Sequence, residues 1–307
     1  MASNSDSRPA TGQNPVKGVF WMLVAGGCFV AVTAVVKIVG PGVPPAQSAF
    51  LRYALGLVFV LPMIRPMLRA GLTRRALKLF ALRGVVHTFG VMSWFYAMTQ
   101  ITIAEVTAMN YLNPIYVTIL AAFFLGERLA LRRILAVAMA FAGALIILRP
   151  GFREIGPGHY AMMFTAVVFA VGYLIAKIMA DETSPAVVVG MLSLTVTVGL
   201  APFAWAVWVP PTWEQIGWLF LVACFATAGH FSMTLAFKAA PLAVTQPVTF
   251  LQLVWATLLG AVAFAEPVDV YVVIGGAMII AAISYITLRE AMLRRRQITP
   301  AVAQTKL

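Results

Sequence analysis

Thr107, Asn110 and Asn113 fall at every third position of an otherwise apolar stretch, and so share about a third of a helix circumference. Hydroxyl and amide groups in that array offer donors and acceptors to a polar ligand, or to a neighbouring helix. The array is written twice: 139 positions later stand Gln246, Thr249 and Gln252. Residue types have changed and polarity has not, which argues for two helices lining one polar region. Three basic groups also sit in apolar surroundings: Arg52, His87 and His230. A guanidinium fork suits a carboxylate or phosphate, and an imidazole offers a donor, an acceptor or a charge near neutral pH. Trp94, Tyr111, Tyr116 and Trp255 add aromatic faces for stacking. Glu105, whose counterpart is Val244, is either a proton-coupling carboxylate or the acid of a helix N-terminus. Each group keeps a structural alternative. Arg52 also suits backbone carbonyls at a kink, the histidines separate local partners, and the amides interhelical hydrogen bonds.

The elements that must hold these groups are apolar segments near the ~20 residues that a bilayer core demands. Ten are expected, at Val19–Ile38, Ala46–Ile64, Leu79–Met98, Ala104–Leu125, Leu131–Leu148, Tyr160–Met179, Ala186–Val207, Ile216–Phe237, Leu242–Ala265 and Val268–Thr287. The duplication runs through them without a gap from Thr88 onward: Gly90 meets Gly229, Ser93 meets Ser232, and Glu127 meets Glu266. Earlier, at an offset of 140, Phe29 meets Phe169, Lys37 meets Lys177 and Pro45 meets Pro185. Five spans per copy is an odd number, so the copies face opposite ways across the membrane. The expected fold is all-α and polytopic, ten transmembrane helices as an inverted repeat of two five-helix units. The expected organisation is a tail at 1–18, repeats at 19–149 and 160–288, a loop at 150–159, and a basic tail at 289–307. Lys37 and Lys177, at span ends, read as snorkelling cations. Glu127 and Glu266 read as caps.

With 62% hydrophobic and 10% charged residues, the chain lacks the polar surface that a water-soluble globule of its size requires. Its net charge of +12 would suit nucleic acid, but the basic residues alternate between loops. Arg65, Arg69, Arg74, Arg75, Lys78 and Arg83 lie between spans two and three, and Arg294, Arg295 and Arg296 lie in the tail, whereas Gly40–Pro45 carries none. This is the positive-inside pattern of a bacterial-type inner membrane protein with both termini cytoplasmic. Arg149 and Arg153 violate it. Cys28 and Cys224 fall inside spans and suggest neither disulfide nor metal cluster. No nucleophile elbow, His-Glu-x-x-His helix, clustered carboxylates or phosphate loop is present, so neither enzyme chemistry, a cofactor nor a metal is expected.

Arg52, then Arg83-Gly84, Gly126-Glu127-Arg128-Leu129 and Leu148-Arg149-Pro150-Gly151, in this order and spacing, resemble the EamA-type branch of the drug/metabolite transporter superfamily. The resemblance covers nearly all of Val19 to Leu288. It implies a compact bundle in which spans three, four, eight and nine line a central cavity with help from one and six. It also implies carriage of amino acids, S-adenosylmethionine, riboflavin, nucleobases or metallophores, and Arg83 to Pro150 looks closest to S-adenosylmethionine uptake carriers.

The expectation is therefore a secondary carrier for a small organic metabolite, working by alternating access without nucleotide. Its partners are that substrate and the lipid bilayer, not nucleic acid, with monomer and homodimer both open. Intramembrane basic groups outnumber the single acid Glu105, which favours a zwitterionic or anionic cargo. A polytopic enzyme and a membrane sensor are the rival classes.

Overall fold

A computed structural model describes residues 15–113, 115, 116, 119, 120, 131–149, 154–239 and 251–298. Its helices are α1 (Pro15–Val39), α2 (Pro45–Gly56), α3 (Ile64–Arg69), α4 (Arg74–Gln100), α5 (Ile103–Asn110) and α6 (Leu131–Leu148). The second half supplies α7 (Pro157–Glu182), α8 (Pro185–Ala206), α9 (Trp213–Ala239), α10 (Leu251–Phe264) and α11 (Val270–Ile298). No strand occurs among the described residues. Four helical stretches are long and apolar enough to cross a bilayer by themselves: Val16–Val39, Pro45–Arg69, Ala186–Ala206 and Trp213–Met233. Shorter apolar helices include Ile134–Leu148, Pro157–Gly172, Leu251–Phe264 and Val270–Tyr285. The protein is an all-α multi-span membrane protein.

Local chemistry sets the helix ends. Thr73 accepts from the Ala76 N–H at 3.1 Å and starts α4, while Ser184 before Pro185 starts α8. The second span, expected as one helix, is instead broken. Leu57–Met63 winds as a 3₁₀ segment containing Pro62, and α3 follows with Pro66. Proline withholds the N–H that would continue the α ladder and crowds the preceding turn. α11 overruns the expected Thr287 end, because Arg, Glu and Met continue a helix well after apolar patterning stops.

The packing carries the duplication. α1 lies along α9, and α4 lies along α7. Exchange the halves, α1 for α7, α2 for α8, α4 for α9, α5 for α10 and α6 for α11, and each of these contacts becomes the other. The α4·α8 and α2·α9 crossings exchange likewise, as do α1·α10 and α5·α7, while α2·α8, α5·α10 and α6·α11 map onto themselves. A pseudo-twofold axis therefore relates the five-span units, as an inverted repeat requires.

Small residues permit these crossings. A methyl group built on Gly90 would stand 2.7 Å from the Phe169 ring, and one on Gly229 would stand 3.2 Å from the Phe29 ring. The pairs Gly90/Gly229 and Phe169/Phe29 are repeat equivalents, so one contact has been built twice. At α6·α11 the backbones of Gly143 and Gly275 touch: a methyl on either would fall within 2.6 Å of the other's carbonyl oxygen. Between helices surrounded by lipid tails there is little hydrophobic drive to associate, and close backbone packing supplies much of the attraction.

Candidate functional site

Arg52, Arg83 and His87 converge in the bundle interior, and His230, exposed on α9, lies within electrostatic reach of them. α2 brings Arg52 and Tyr53, both buried, and the Arg52 guanidinium lies 4.0 Å from the Tyr53 ring centroid. The Tyr53 hydroxyl and His87 Nε2, on α4, share a hydrogen bond of 3.0 Å. His87 is the middle residue of α4, because α4 starts at Arg74 and not at the expected Leu79. Its ring stacks on Phe169 of α7 at 4.7 Å and 18°, and Trp94, two turns along α4, meets the same phenylalanine edge-on at 6.2 Å. His230, on α9, packs edge-on against Phe29 at 5.1 Å. Arg52, Arg83 and His230 all lie within electrostatic reach of His87. No described carboxylate pairs with Arg52.

Arg83 counts in the sequence among the loop cations, at the start of the third span and in the Arg83-Gly84 motif; the structure buries it. Its Nη1 donates to the Val188 carbonyl of α8 at 3.2 Å. The early start of α4 is the missed signal: Thr73 before Arg74 is a capping residue, and it places Arg83 three turns inside the helix.

α5 supplies the polar array and is itself interrupted. Its helical bonds give way at Tyr111 and Leu112, whose N–H groups donate to Ala108 and Met109 in tighter i→i+3 turns of 3.2 and 3.1 Å. Helical structure resumes at Asn113. Pro114 follows in sequence and has no N–H for the Asn110 carbonyl, so the ladder has to break there. A discontinuous helix that exposes backbone groups at mid-depth is how many carriers make a substrate site.

The expected stripe divides into different roles. The Thr107 hydroxyl is buried and donates to its own helix at Ile103 O, 2.8 Å away, so it stabilises α5 locally. Asn113 is buried, and the Asn110 Oδ1 is buried with no hydrogen-bond partner among the described residues. Trp94 Nε1 is in the same condition. Each is an unmatched buried polar atom that a polar ligand or water would satisfy. Tyr111 is partly buried, with its hydroxyl bonded to the backbone of Leu253 in α10. Tyr116 stands edge-on to Phe141 of α6 at 5.6 Å.

Among the repeat partners, Gln246 and Thr249 lie outside the described residues. Gln252 is half-buried, and its Cβ lies 3.7 Å from where a methyl on Gly26 of α1 would be. Trp255 is 49% exposed and lines an apolar groove between α1 and α10 with Gly27, Val30, Ala31 and Leu258. Trp255 follows Gln252 by three residues, so both lie on the side of α10 that faces α1.

Glu105 is buried and does cap α5. Its Oε2 accepts from the Thr102 N–H at 2.9 Å and from the Thr102 hydroxyl at 3.0 Å, while its own N–H returns to Thr102 Oγ1 at 3.2 Å. The other oxygen lies 3.4 Å from Nε2 of His159 in the first turn of α7. The sequence reading left His159 in the inter-repeat loop. Gly156 followed by Pro157, a sequence that starts helices, is the signal that places it in the span.

Three further charges find partners at the same membrane face. Lys37 is ion-paired with Glu266 and donates to Ile101 O at 3.0 Å, so it is tied to the protein and does not simply reach for water. Glu266 also accepts from the Ile103 N–H at 3.0 Å. Arg149 is ion-paired with Asp269, and its guanidinium lies 4.4 Å from the Tyr271 ring centroid. The charge that broke the loop pattern is thereby compensated.

Comparison with known proteins agrees with this architecture. The family model described as "EamA-like transporter family" matches the chain twice, at residues 16–149 and 156–288. A riboflavin transporter of Rhizobium johnstonii is 28% identical over 298 residues, 96% of this chain and 98% of that protein. The pseudopaline exporter CntI of Pseudomonas aeruginosa is 26% identical, covering 86% and 94% respectively. An S-adenosylmethionine uptake transporter of Rickettsia felis is 24% identical, covering 91% and 96%. One solved crystal structure superposes with a TM-score of 0.58 at 20% identity, over 92% of this chain and 99% of that one, a likeness of fold.

Proposed function

Because this chain belongs to the EamA-like transporter family, and is thus a membrane transporter and not an enzyme, we propose a specific cargo chemistry. It carries a small organic metabolite with at least one carboxylate, zwitterionic or anionic, by alternating access across the inner membrane, with both termini cytoplasmic. What supports the cargo chemistry is the interior group of Arg52, Arg83 and His87, with no described carboxylate paired to Arg52. A guanidinium buried in a bundle costs several kcal/mol unless an anion or a set of acceptors meets it. An incoming carboxylate supplies that partner. The unmatched Trp94 Nε1 and Asn110 Oδ1 offer a donor and an acceptor to the rest of the molecule, and the break in α5 follows Asn110 directly.

A planar heteroaromatic cargo is the second reading. The His87, Phe169 and Trp94 rings favour it, since a flat molecule entering beside them finds aromatic faces and edges in sequence. The curated relatives' cargoes span both types. Riboflavin is planar, S-adenosylmethionine joins an amino-acid carboxylate to a purine, and a third relative is named as a pseudopaline exporter.

A thermal-shift screen of the purified protein against amino acids, S-adenosylmethionine, riboflavin, nucleosides and polycarboxylates tests the reading. A ligand that binds the folded state raises its melting point. The expected hit carries a carboxylate, and its shift is lost in Arg52→Gln and Asn110→Ala. A hit by riboflavin that survives Arg52→Gln and is lost in Trp94→Ala selects the second reading. A shift insensitive to all three substitutions removes the site.

A further inference from the structure

We propose that the first turns of α4 form a binding site for one anionic phospholipid, with its phosphate between Arg74 and Lys78 and its acyl chains along Leu82, Val85 and Phe89. The site is on the exposed side of α4 and is separate from the cargo groups in the bundle interior.

α4 changes character along one face. Arg74, Lys78, Leu82, Val85 and Phe89 follow one another at spacings of three and four, so they form a single stripe down the helix. All five are exposed. Two turns of cation are followed by three of hydrocarbon, and the change falls where the apolar segment of the third span begins, at Leu79. From Lys78 to Phe89 the helix rises about 16 Å, which matches one leaflet, about half of a ~30 Å hydrocarbon core. A glycerophospholipid has the same order of parts, an anionic head and then chains of one leaflet's depth. The second repeat lacks the feature. α9 has the length of α4 and keeps its register at the offset of 139, yet Trp213 and Gly217 stand in the places of Arg74 and Lys78.

At the head end the helix borders a cleft of about 410 Å³, lined by Arg74, Arg75 and Lys78, with Leu79 and Ile178 of α7 as its apolar part. Arg75 is taken by Glu182, 2.6 Å away across the α4·α7 seam. Arg74 and Lys78 make neither hydrogen bond nor ion pair with a described residue. They stand one turn apart, where like charges repel. Arg65 and Arg69 of α3, both exposed, add to the same positive field. A phosphodiester between Arg74 and Lys78 turns the repulsion into two attractions, because the guanidinium fork takes two of its oxygens and the ammonium meets the charge from the next turn. Basic clefts between helices at a membrane face take lipid headgroups in this way. The apolar residues in the cleft and below it favour an amphiphile over a soluble anion. Behind the cleft, Ala76, Phe80, Ile175 and Met179 pack in one buried cluster, so α4 and α7 present a fixed site.

The test needs no identified cargo. The full-length protein in detergent is titrated with phosphatidylglycerol or with phosphatidylcholine of the same acyl chains, and the lipid retained is counted by native mass spectrometry beside the melting temperature. Phosphatidylglycerol should be retained and should raise the melting temperature, with phosphatidylcholine doing neither. Arg74→Gln with Lys78→Gln should weaken that retention roughly thirtyfold. Both positions are exposed and glutamine suits a helix, so the lipid-free melting temperature should hold. Arg74→Lys with Lys78→Arg keeps both charges and should keep the lipid. Arg65→Gln with Arg69→Gln removes the same charge from α3 and should cost far less. Equal retention of the two lipids overturns the proposal, and so does phosphatidylglycerol binding that survives Arg74→Gln with Lys78→Gln. Equal losses in the α3 and α4 double variants overturn it in favour of a diffuse positive field. Inorganic phosphate or glycerol phosphate giving the same stabilisation overturns it in favour of a soluble anion.

Discussion

The α4·α7 crossing and the α9·α1 crossing were once the same structure, and they now do different things. Each sets a glycine, Gly90 or Gly229, against a phenylalanine, Phe169 or Phe29, and each carries a histidine on that phenylalanine. The likeness ends there. His87 stacks flat on its partner and is hydrogen-bonded to Tyr53, beside buried Arg52. His230 touches its phenylalanine edge-on and is exposed. At the offset of 140, Leu192 and Ser193 occupy the places of Arg52 and Tyr53. Backbone geometry is what the duplication preserved, because a change in either glycine closes off a crossing. Side-chain chemistry was free to diverge, and it concentrated the cation chemistry on one crossing.

Replacing Arg52 with Gln is the most severe way to break this asymmetry. A charge-assisted hydrogen bond contributes about 1.5–3 kcal/mol, so affinity for a carboxylated ligand should fall at least about tenfold, measured by thermal shift or equilibrium binding. The ligand-free melting temperature should change little, and an equal loss of stability would return Arg52 to a structural role.

Next in size is Gly90→Ala. Its methyl enters a ring already held by His87 and Trp94, and overpacking of this kind costs about 1–3 kcal/mol. Gly229→Ala, with 3.2 Å of room, should cost less than half as much by the same unfolding measurement in detergent. Equal costs would mean that the two crossings are packed alike after all.

His87→Phe keeps an aromatic ring on Phe169 and removes the hydrogen bond to Tyr53. A loss of about 0.5–1.5 kcal/mol is expected in the same unfolding measurement. The smallest effect belongs to Arg75→Ala at the outer rim of the α4·α7 crossing, where Arg75 meets Glu182 at 2.6 Å with its side chain 68% exposed. Solvent and salt screen such a pair, so stability should shift by less than about 1 kcal/mol.

Much of the fold was legible beforehand because membranes impose length and apolarity, and both are written residue by residue. The Leu131–Leu148 span was placed to the residue. The break in the second span was not foreseen, although Pro62 and Pro66 announced it, because hydropathy is indifferent to whether an apolar segment winds as α or 3₁₀. Parts of the site were legible as types. Asn110 and Arg52 were chosen for being polar where polarity is expensive, and both are held inside the bundle. Thr107 was chosen on the same ground and uses its hydroxyl on its own helix. Trp255 is half-exposed, in an apolar groove between α1 and α10. His159 was missed because two residues decided whether it sat in a loop or a helix.

The sequence by itself determined that this is a duplicated, multi-span, all-α transporter of the EamA-like family, since repetition and apolarity are properties of the chain alone. Only the tertiary structure decided which polar groups meet. Arg52 and Tyr53 reach His87 from a different helix, and His159 reaches Glu105 from the other repeat. Lys37 finds Glu266 across 229 positions of chain. An ionisable side chain in a membrane must find a counterpart, but the partner is fixed by which helices cross and at what depth, and those crossings were set by glycines far from the charges they bring together.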